Sequence, residues 1–512
     1  MKIMRTLATT LLAALLLAVP SALAQDDGEA VYIAQQLAHS SLNPAEATGL
    51  ADASVVRTMF EGLVGFDRDF EIVPELAESW TIAPDATWME FQIREGVTFH
   101  DGTEVDAQAI ADYYAWVLDE DNPEPARGRS LLSDVETIEV LGPYELRIEL
   151  AQPNGAMIFN LALSNARIAS PASVTAEGAD VTREPVGTGP YRFQQWLDGQ
   201  KVVVEANPDY WGEPAGADEI HFLATTNAST RVAQLRSGEA HFIESVPQPL
   251  VEQVDATDDL SVVLSGSTFA RVFELNTQAA PFDDVRVRQA MNLAIDKDVV
   301  VQVAYGGNAT VMNAPIPRSV FGHAAQGPYP YDPERARELL AEAGHEDGFA
   351  FDVLTFTGEP YATIGQVMQQ MFADVGLQMN LQPTERGALV DAIFQPIEST
   401  ELEASLVGAS TPTGDADRAL TVSFYSESWP PNSNNWSFYA NERVDELIEA
   451  GRATGDLDAR AELYAEAQEI IWNDAPWVFL VSPDNVAGQA DELSGVFYMP
   501  DRSIDARGAT LD

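Results

Sequence analysis

The sequence predicts an α/β protein of two or three domains, and three observations carry that prediction. The chain has 512 residues, 46% of them hydrophobic, more than a single core usually serves and ample for several. Strand-like alternation dominates its first half. Helical periodicity, with apolar residues three and four apart, strengthens in the second half, and the two signals lie in large blocks rather than in a regular strand–helix alternation.

In chain order, Met89, Phe91 and Ile93 alternate with Glu90, Gln92 and Arg94, and Leu146, Ile148 and Leu150 alternate with Glu145, Arg147 and Glu149. A period of two puts one set of side chains on a core face and the other in water, so both stretches read as half-buried strands. Further extended runs cover Lys201 to Glu205, Glu219 to Leu223 and Phe269 to Leu275. Glu184 to Pro190 and Asn207 to Gly216 are dense in proline and glycine. Their aromatics must pack, which makes them structured crossovers rather than tethers. A helix is predicted after the caps Asp283 and Asp284, where Val287, Ala290, Met291, Ala294 and Ile295 share a face. Asp332 and Pro333 open another and Gly344 closes it. A third runs from about Asp458 toward Trp472. Thr411 to Tyr439, rich in Gly, Pro, Asn and Trp, reads as a long shaped loop of the kind that carries function.

Residues 1–24 read as a cleavable secretory signal: Lys2 and Arg5 begin it, Leu7 to Val19 are apolar, and Ala22-Leu23-Ala24 supply the cleavage site. The apolar stretch falls short of the about 20 residues that span a bilayer. Without a cysteine at the cut there is no lipid anchor. The expected product begins at Gln25 and is periplasmic, with no membrane insertion.

Composition narrows the function. Zero cysteines exclude disulfide scaffolds, thiol catalysis and Cys-based zinc sites. With 28 Lys+Arg against 80 Asp+Glu, the net charge of −52 repels nucleic acid and anionic lipid alike. Lys2, Lys201 and Lys297 are the lysines and every other cation is arginine, which fits a GC-rich genome, a saline medium, or both. There is no G-x-S-x-G, P-loop or H-E-x-x-H, and Gly187-Thr188-Gly189-Pro190 lacks the third glycine of a dinucleotide fingerprint. His39, His100, His221, His241, His323 and His345 have no ligand spacing. These readings point away from an enzyme, a metal site or a cofactor. Arg271 points toward a ligand: it is in phase with Phe269, Phe273 and Leu275, with Ala270, Val272 and Glu274 on the other face. An arginine on an apolar face needs an anion, either a carboxylate of the chain or one belonging to a ligand.

The chain resembles the extracytoplasmic solute-binding proteins of peptide, nickel and opine ABC importers, family 5. The likeness lies in Leu76-Ala77-Glu78-Ser79-Trp80, Trp88 to Arg94, Glu95 to Thr103, Pro185 to Tyr191, Asn207-Pro208-Asp209-Tyr210-Trp211, Arg286 to Asn292, Ala294-Ile295-Asp296 and Tyr331-Asp332-Pro333. Gly414-Asp415-Ala416-Asp417, Trp429-Pro430-Pro431, Tyr439-Ala440-Asn441, Val444-Asp445 and Tyr498-Met499-Pro500-Asp501 are similar to members that bind glutathione. The resemblance implies a bilobed flytrap: a first lobe over 25–275 with an inserted subdomain about 66–185, a second lobe over 276–484, and a return to the first lobe over 485–512. It further implies a monomer that captures glutathione or a short peptide between its lobes and delivers it to an inner-membrane permease. Other members bind dipeptides, oligopeptides, opines or nickel complexes, so these remain alternatives, with a secreted hydrolase or a peptide-holding chaperone as rivals of another class. Dipeptide- and oligopeptide-binding members carry an aspartate for the ligand amine where this chain has Pro412, and often a tryptophan where it has Ala409. By the same resemblance Asp415 or Asp417 would meet a ligand amine, and Arg271 or Arg386 a carboxylate. Trp429 and Trp436 would wall the pocket, with Ser40 and Ser41 as further contacts.

Overall fold

Two large sheets and one small one organise the chain in the computed structural model, which describes residues 29–47, 49–176 and 180–512. Residues 1–24, expected to be a secretory signal, lie outside the described residues. The first lobe is built on seven strands in the order Leu260–Ser265, Asn485–Ala490, Phe242–Ile243, Ala30–Gln35, Glu219–Ala224, Lys201–Ala206 and Tyr191–Leu197. The second lobe is built on six: Ala309–Val311, Trp477–Pro483, Phe269–Leu275, Ala404–Ser410, Phe349–Phe356 and Leu377–Thr384.

The alternating strands appear where their periodicity places them. Trp88–Ile93 and Glu145–Leu150 bury Met89, Phe91, Ile93, Leu146, Ile148 and Leu150, and they are antiparallel partners, Met89 opposite Ile148 and Phe91 opposite Leu146. They belong to a four-stranded sheet whose buried face shares one apolar cluster with Val31, Ile33, Val204 and Phe222 of the seven-stranded sheet. The two proline- and glycine-dense crossovers converge on a buried carboxylate. Glu61 accepts hydrogen bonds from Thr188 Oγ1 (2.9 Å), Tyr210 Oη (2.8 Å) and Trp211 Nε1 (2.8 Å), which uses the polar ends of otherwise packed aromatics.

The helix after Asp284 spans Val285–Leu293, with the Asp284 carboxylate accepting from Arg286 N–H at 2.8 Å. Pro333–Glu342 is capped by Asp332 and followed by Gly344 at φ +86°, a left-handed turn that glycine adopts freely. The third predicted helix spans Leu457–Asp474 behind the cap Asp456. Thr411 to Tyr439 departs from its reading as a long loop, because Ala416–Phe424 is a helix. Asp415 caps it by accepting from Asp417 N–H at 2.7 Å, and Ala416, Ala419, Leu420 and Phe424 form its buried face. Gly and Pro at the flanks masked that periodicity.

The lobe boundary also needs correction. Phe269–Leu275, which a boundary at 275 assigns to the first lobe, is a central strand of the second, bonded to Ala404–Ser410 and Trp477–Pro483. Both faces of this strand are covered: Phe273 and Leu275 join one cluster, Ala270 and Val272 another, and even Glu274 is buried. The chain therefore changes lobe twice, between Ser265 and Phe269 and again at Asp484. At each crossing the strands are antiparallel neighbours on both sides, Ser265 opposite Asn485 in the first sheet and Arg271 opposite Val481 in the second. Such a two-stranded ribbon is a natural hinge, since a few residues can absorb the change in φ and ψ. After the second crossing the chain ends in the first lobe, where Arg507 bonds Glu75 (3.0 Å) and Asp505 (2.7 Å). Burial alone would raise the Glu75 carboxyl, but Arg167 and Arg507 hold it below its ordinary range.

Candidate functional site

Beside the hinge ribbon lies a cavity of about 380 Å³ with walls from both lobes. This is within the about 300–1,000 Å³ range of small-ligand sites. Ser245 to Gln248, Tyr498 and Arg502 come from the first lobe, Phe269, Arg271 and Tyr305 from the second, and Ser267 and Pro483 to Asn485 from the ribbon itself.

Arg271 reaches the cavity because its strand is irregular at that point. A bulge between Arg271 and Val272 shifts the pairing with Trp477–Pro483 by one residue, and bulges re-aim side chains. Opposite Arg271 is Gly408, where a Cβ would sit 2.1 Å from Phe269 Cζ and 2.6 Å from Arg271 Nη1. Glycine thus leaves the space across which the guanidinium lies. Its carbon is 4.4 Å from the centroid of the Phe269 ring and 4.6 Å from that of Tyr361. Nε donates to Tyr305 Oη at 3.2 Å and Nη1 to Tyr361 Oη at 2.8 Å. Tyr305 ends the helix Lys297–Tyr305 and Tyr361 begins the helix Tyr361–Asp374, so two helix termini fix the arginine. Burial pushes both phenols up despite the nearby cation, so they stay neutral and leave its charge uncompensated. Among the described residues Arg271 forms no ion pair, which removes a carboxylate of the chain as its anion.

The other expected site residues are placed elsewhere. Arg386 is exposed at the head of the helix Arg386–Ile393, close enough to oppose the upward shift of Tyr361. Asp415 is fully buried and bonds Arg460 at 3.0 Å, whose guanidinium lies near Phe159, Phe321 and Tyr464. Asp417 pairs with Arg452 at 3.1 Å. Both carboxylates therefore have arginine partners within the second lobe, which corrects the expectation that either waits for an amine. Trp429 and Trp436 pack against Phe438 and Phe394, with ring centroids 5.6 Å apart in each pair, and neither lines the cavity. Ser40 Oγ donates to Asp52 Oδ2 at 2.5 Å, and Ser41 Oγ accepts from Asn43 N–H at 3.2 Å and lies 3.4 Å from Thr182 Oγ1, so both hydroxyls are engaged within the first lobe. Tyr305, Tyr361, Asp484 and Arg502 escaped the sequence reading, and Tyr498 was not among its expected site residues. Tyr498-Met499-Pro500-Asp501 was noted for its resemblance, and Arg502 follows it directly.

Among the described residues, no group of three or more His, Asp or Glu is arranged to hold a metal ion, and no helix is long and apolar enough to cross a membrane. Residues 71–431 match the model of bacterial extracellular solute-binding proteins, family 5 (middle). The chain belongs to this family. The solute-binding chain is 34% identical over 478 residues, 92% of each sequence, to the glutathione-binding protein GsiB of Pectobacterium atrosepticum. Its fold matches that of HbpA2 from Haemophilus parasuis with a TM-score of 0.86, at 24% identity, covering 94% of this chain and all of the other. The periplasmic binding protein DppA of Helicobacter pylori, solved with the peptide STSA, matches at a TM-score of 0.70 and 27% identity over 94% and 98% of the two chains. The bilobed α/β fold and a role in solute capture follow from this membership.

Proposed function

We propose that this solute-binding protein is the periplasmic receptor of an ABC importer, capturing glutathione or another short γ-linked or modified peptide in the hinge-side cavity and delivering it to an inner-membrane permease. The observation that carries the ligand reading is Arg271, a cation held by two neutral phenols and an aromatic ring at the wall of an interlobe cavity, with no anion of its own. A carboxylate-bearing solute supplies that anion. Similarity to glutathione-binding relatives over nearly the whole chain supports the same class. Pro412, exposed and uncharged where dipeptide-binding members carry an aspartate, favours a ligand whose amine is held differently. Binding between lobes shifts the hinge toward closure because the closed form touches ligand from both sides. In this reading the protein is a non-catalytic monomer, released by cleavage after Ala24 without a lipid anchor.

Native mass spectrometry of gently purified protein, followed by calorimetry with glutathione and a dipeptide panel, tests the assignment. The expected result is an acidic peptide bound at micromolar concentration or tighter and recovered unchanged. Hydrolysis of the panel would make the protein an enzyme instead, and a co-purified non-peptide solute would replace the ligand.

A further inference from the structure

Arg271 is not the cavity's only cation. Arg502 lines it from the first lobe, at the tip of a turn closed by Met499 N–H to Ser503 O (2.9 Å) and Arg502 N–H to Met499 O (2.8 Å). Its φ is +72°, a conformation that side-chain-bearing residues seldom adopt and that concentrates at functional sites. Asp501 braces the turn by accepting from Ser503 N–H and Oγ. The guanidinium donates to Ser245 Oγ at 3.4 Å, lies within reach of the Tyr498 hydroxyl and near enough to the buried Glu244 to oppose the rise that burial gives its carboxyl, and among the described residues forms no ion pair. The hinge side of the same cavity carries one carboxylate, Asp484, which burial pushes up and which has Arg318 at 3.8 Å.

We infer that the ligand carries two anionic groups, one taken by Arg271 of the second lobe and the other by Arg502 of the first. This deepens the proposed function and rests on it. Two cations without ion-pair partners among the described residues, one on each lobe, complement a short peptide with two carboxylates rather than a plain dipeptide with one. The placement also makes closure depend on the second carboxylate. A ligand with a single anionic end binds one lobe and has no differential contact to draw in the other.

Calorimetry with glutathione and with glutathione monoethyl ester, whose glycyl carboxylate is blocked, distinguishes the cases in wild type, R271Q and R502Q. Wild type is expected to bind the ester at least tenfold more weakly than glutathione. Each variant should lose at least tenfold for glutathione. In one of them, the variant lacking the partner of the blocked carboxylate, ester and glutathione should bind within about twofold of each other, the mark of a direct pair in a double-mutant cycle. Melting curves check that R502Q is folded, and R502K, which keeps the charge without the fork, should recover part of the loss. Wild-type affinity in R502Q overturns the two-lobe clamp while leaving the proposed function standing, as does a wild type that binds only peptides with one carboxylate. A wild type that binds no peptide at all overturns both.

Discussion

At Gly408 and Asp415 single atoms decide between a structural and a ligand-facing role. Gly408 lacks a side chain because Phe269 and Arg271 fill that space. G408A should push both off their present course, at an overpacking cost of about 1–3 kcal/mol. The expected outcome in calorimetry is at least a tenfold loss of ligand affinity with only a modest fall in Tm; unchanged affinity would show that Arg271 needs no such bed. Asp415 illustrates the opposite case. Its Oδ1 takes both Arg460 and the cap of Ala416–Phe424, while Oδ2 is buried without a hydrogen-bond partner, so D415N leaves a buried guanidinium without its counter-charge. Losing one partner of a buried pair costs about 3–5 kcal/mol. Thermal melting should show a large drop in Tm, while the rise in Tm produced by ligand persists; loss of that rise in a folded variant would return Asp415 to the binding site.

The central strand Phe269–Leu275 carries a second consequence at the scale of an element. Because both its faces are covered, Glu274 is buried with the Ser437 hydroxyl at 3.4 Å, and desolvation lifts its carboxyl from 4.5 to about 8. Between about pH 4.5 and 8 the folded chain keeps a proton that the unfolded chain releases, so this group's contribution to stability falls as pH rises through that window. Lys297 behaves in the opposite sense: burial lowers it from 10.5 to about 7, and its contribution rises with pH between those values. Comparing E274Q with wild type isolates the glutamate. The Tm of E274Q relative to wild type should climb from pH 5 to pH 8.5, and a difference constant with pH would show that Glu274 is already ionised in the fold. The same strand explains what escaped the sequence reading. Its sequence puts Arg271 and Glu274 on opposite faces, and only the clusters packed on both sides of the sheet show that both faces are covered. Ala416–Phe424 was overlooked because composition at its flanks outweighed a short helical period.

Across the whole molecule, charge and hinge act together. A net charge of −52 repels itself, and the Debye length falls from about 30 Å at 0.01 M salt to about 3 Å at 1 M. Tm should therefore rise with NaCl over that range. A melting temperature indifferent to salt would mean that the acidic surface costs the fold nothing. What the sequence determined by itself was the α/β class, the paired strands at Trp88–Ile93 and Glu145–Leu150, the caps Asp284 and Asp332, and the family resemblance. These are local: periodicity and capping act within a dozen residues, and motifs are contiguous. Which carboxylate meets an arginine and which arginine is left without one was decided by tertiary structure alone. Arg502 comes to Arg271's cavity from 231 positions along the chain, and Asp415 to Arg460 from 45, because a ribbon crossing twice between two sheets sets those neighbours. In a chain with 80 acids, pairing is a matter of position in space, and no spacing in the sequence records it.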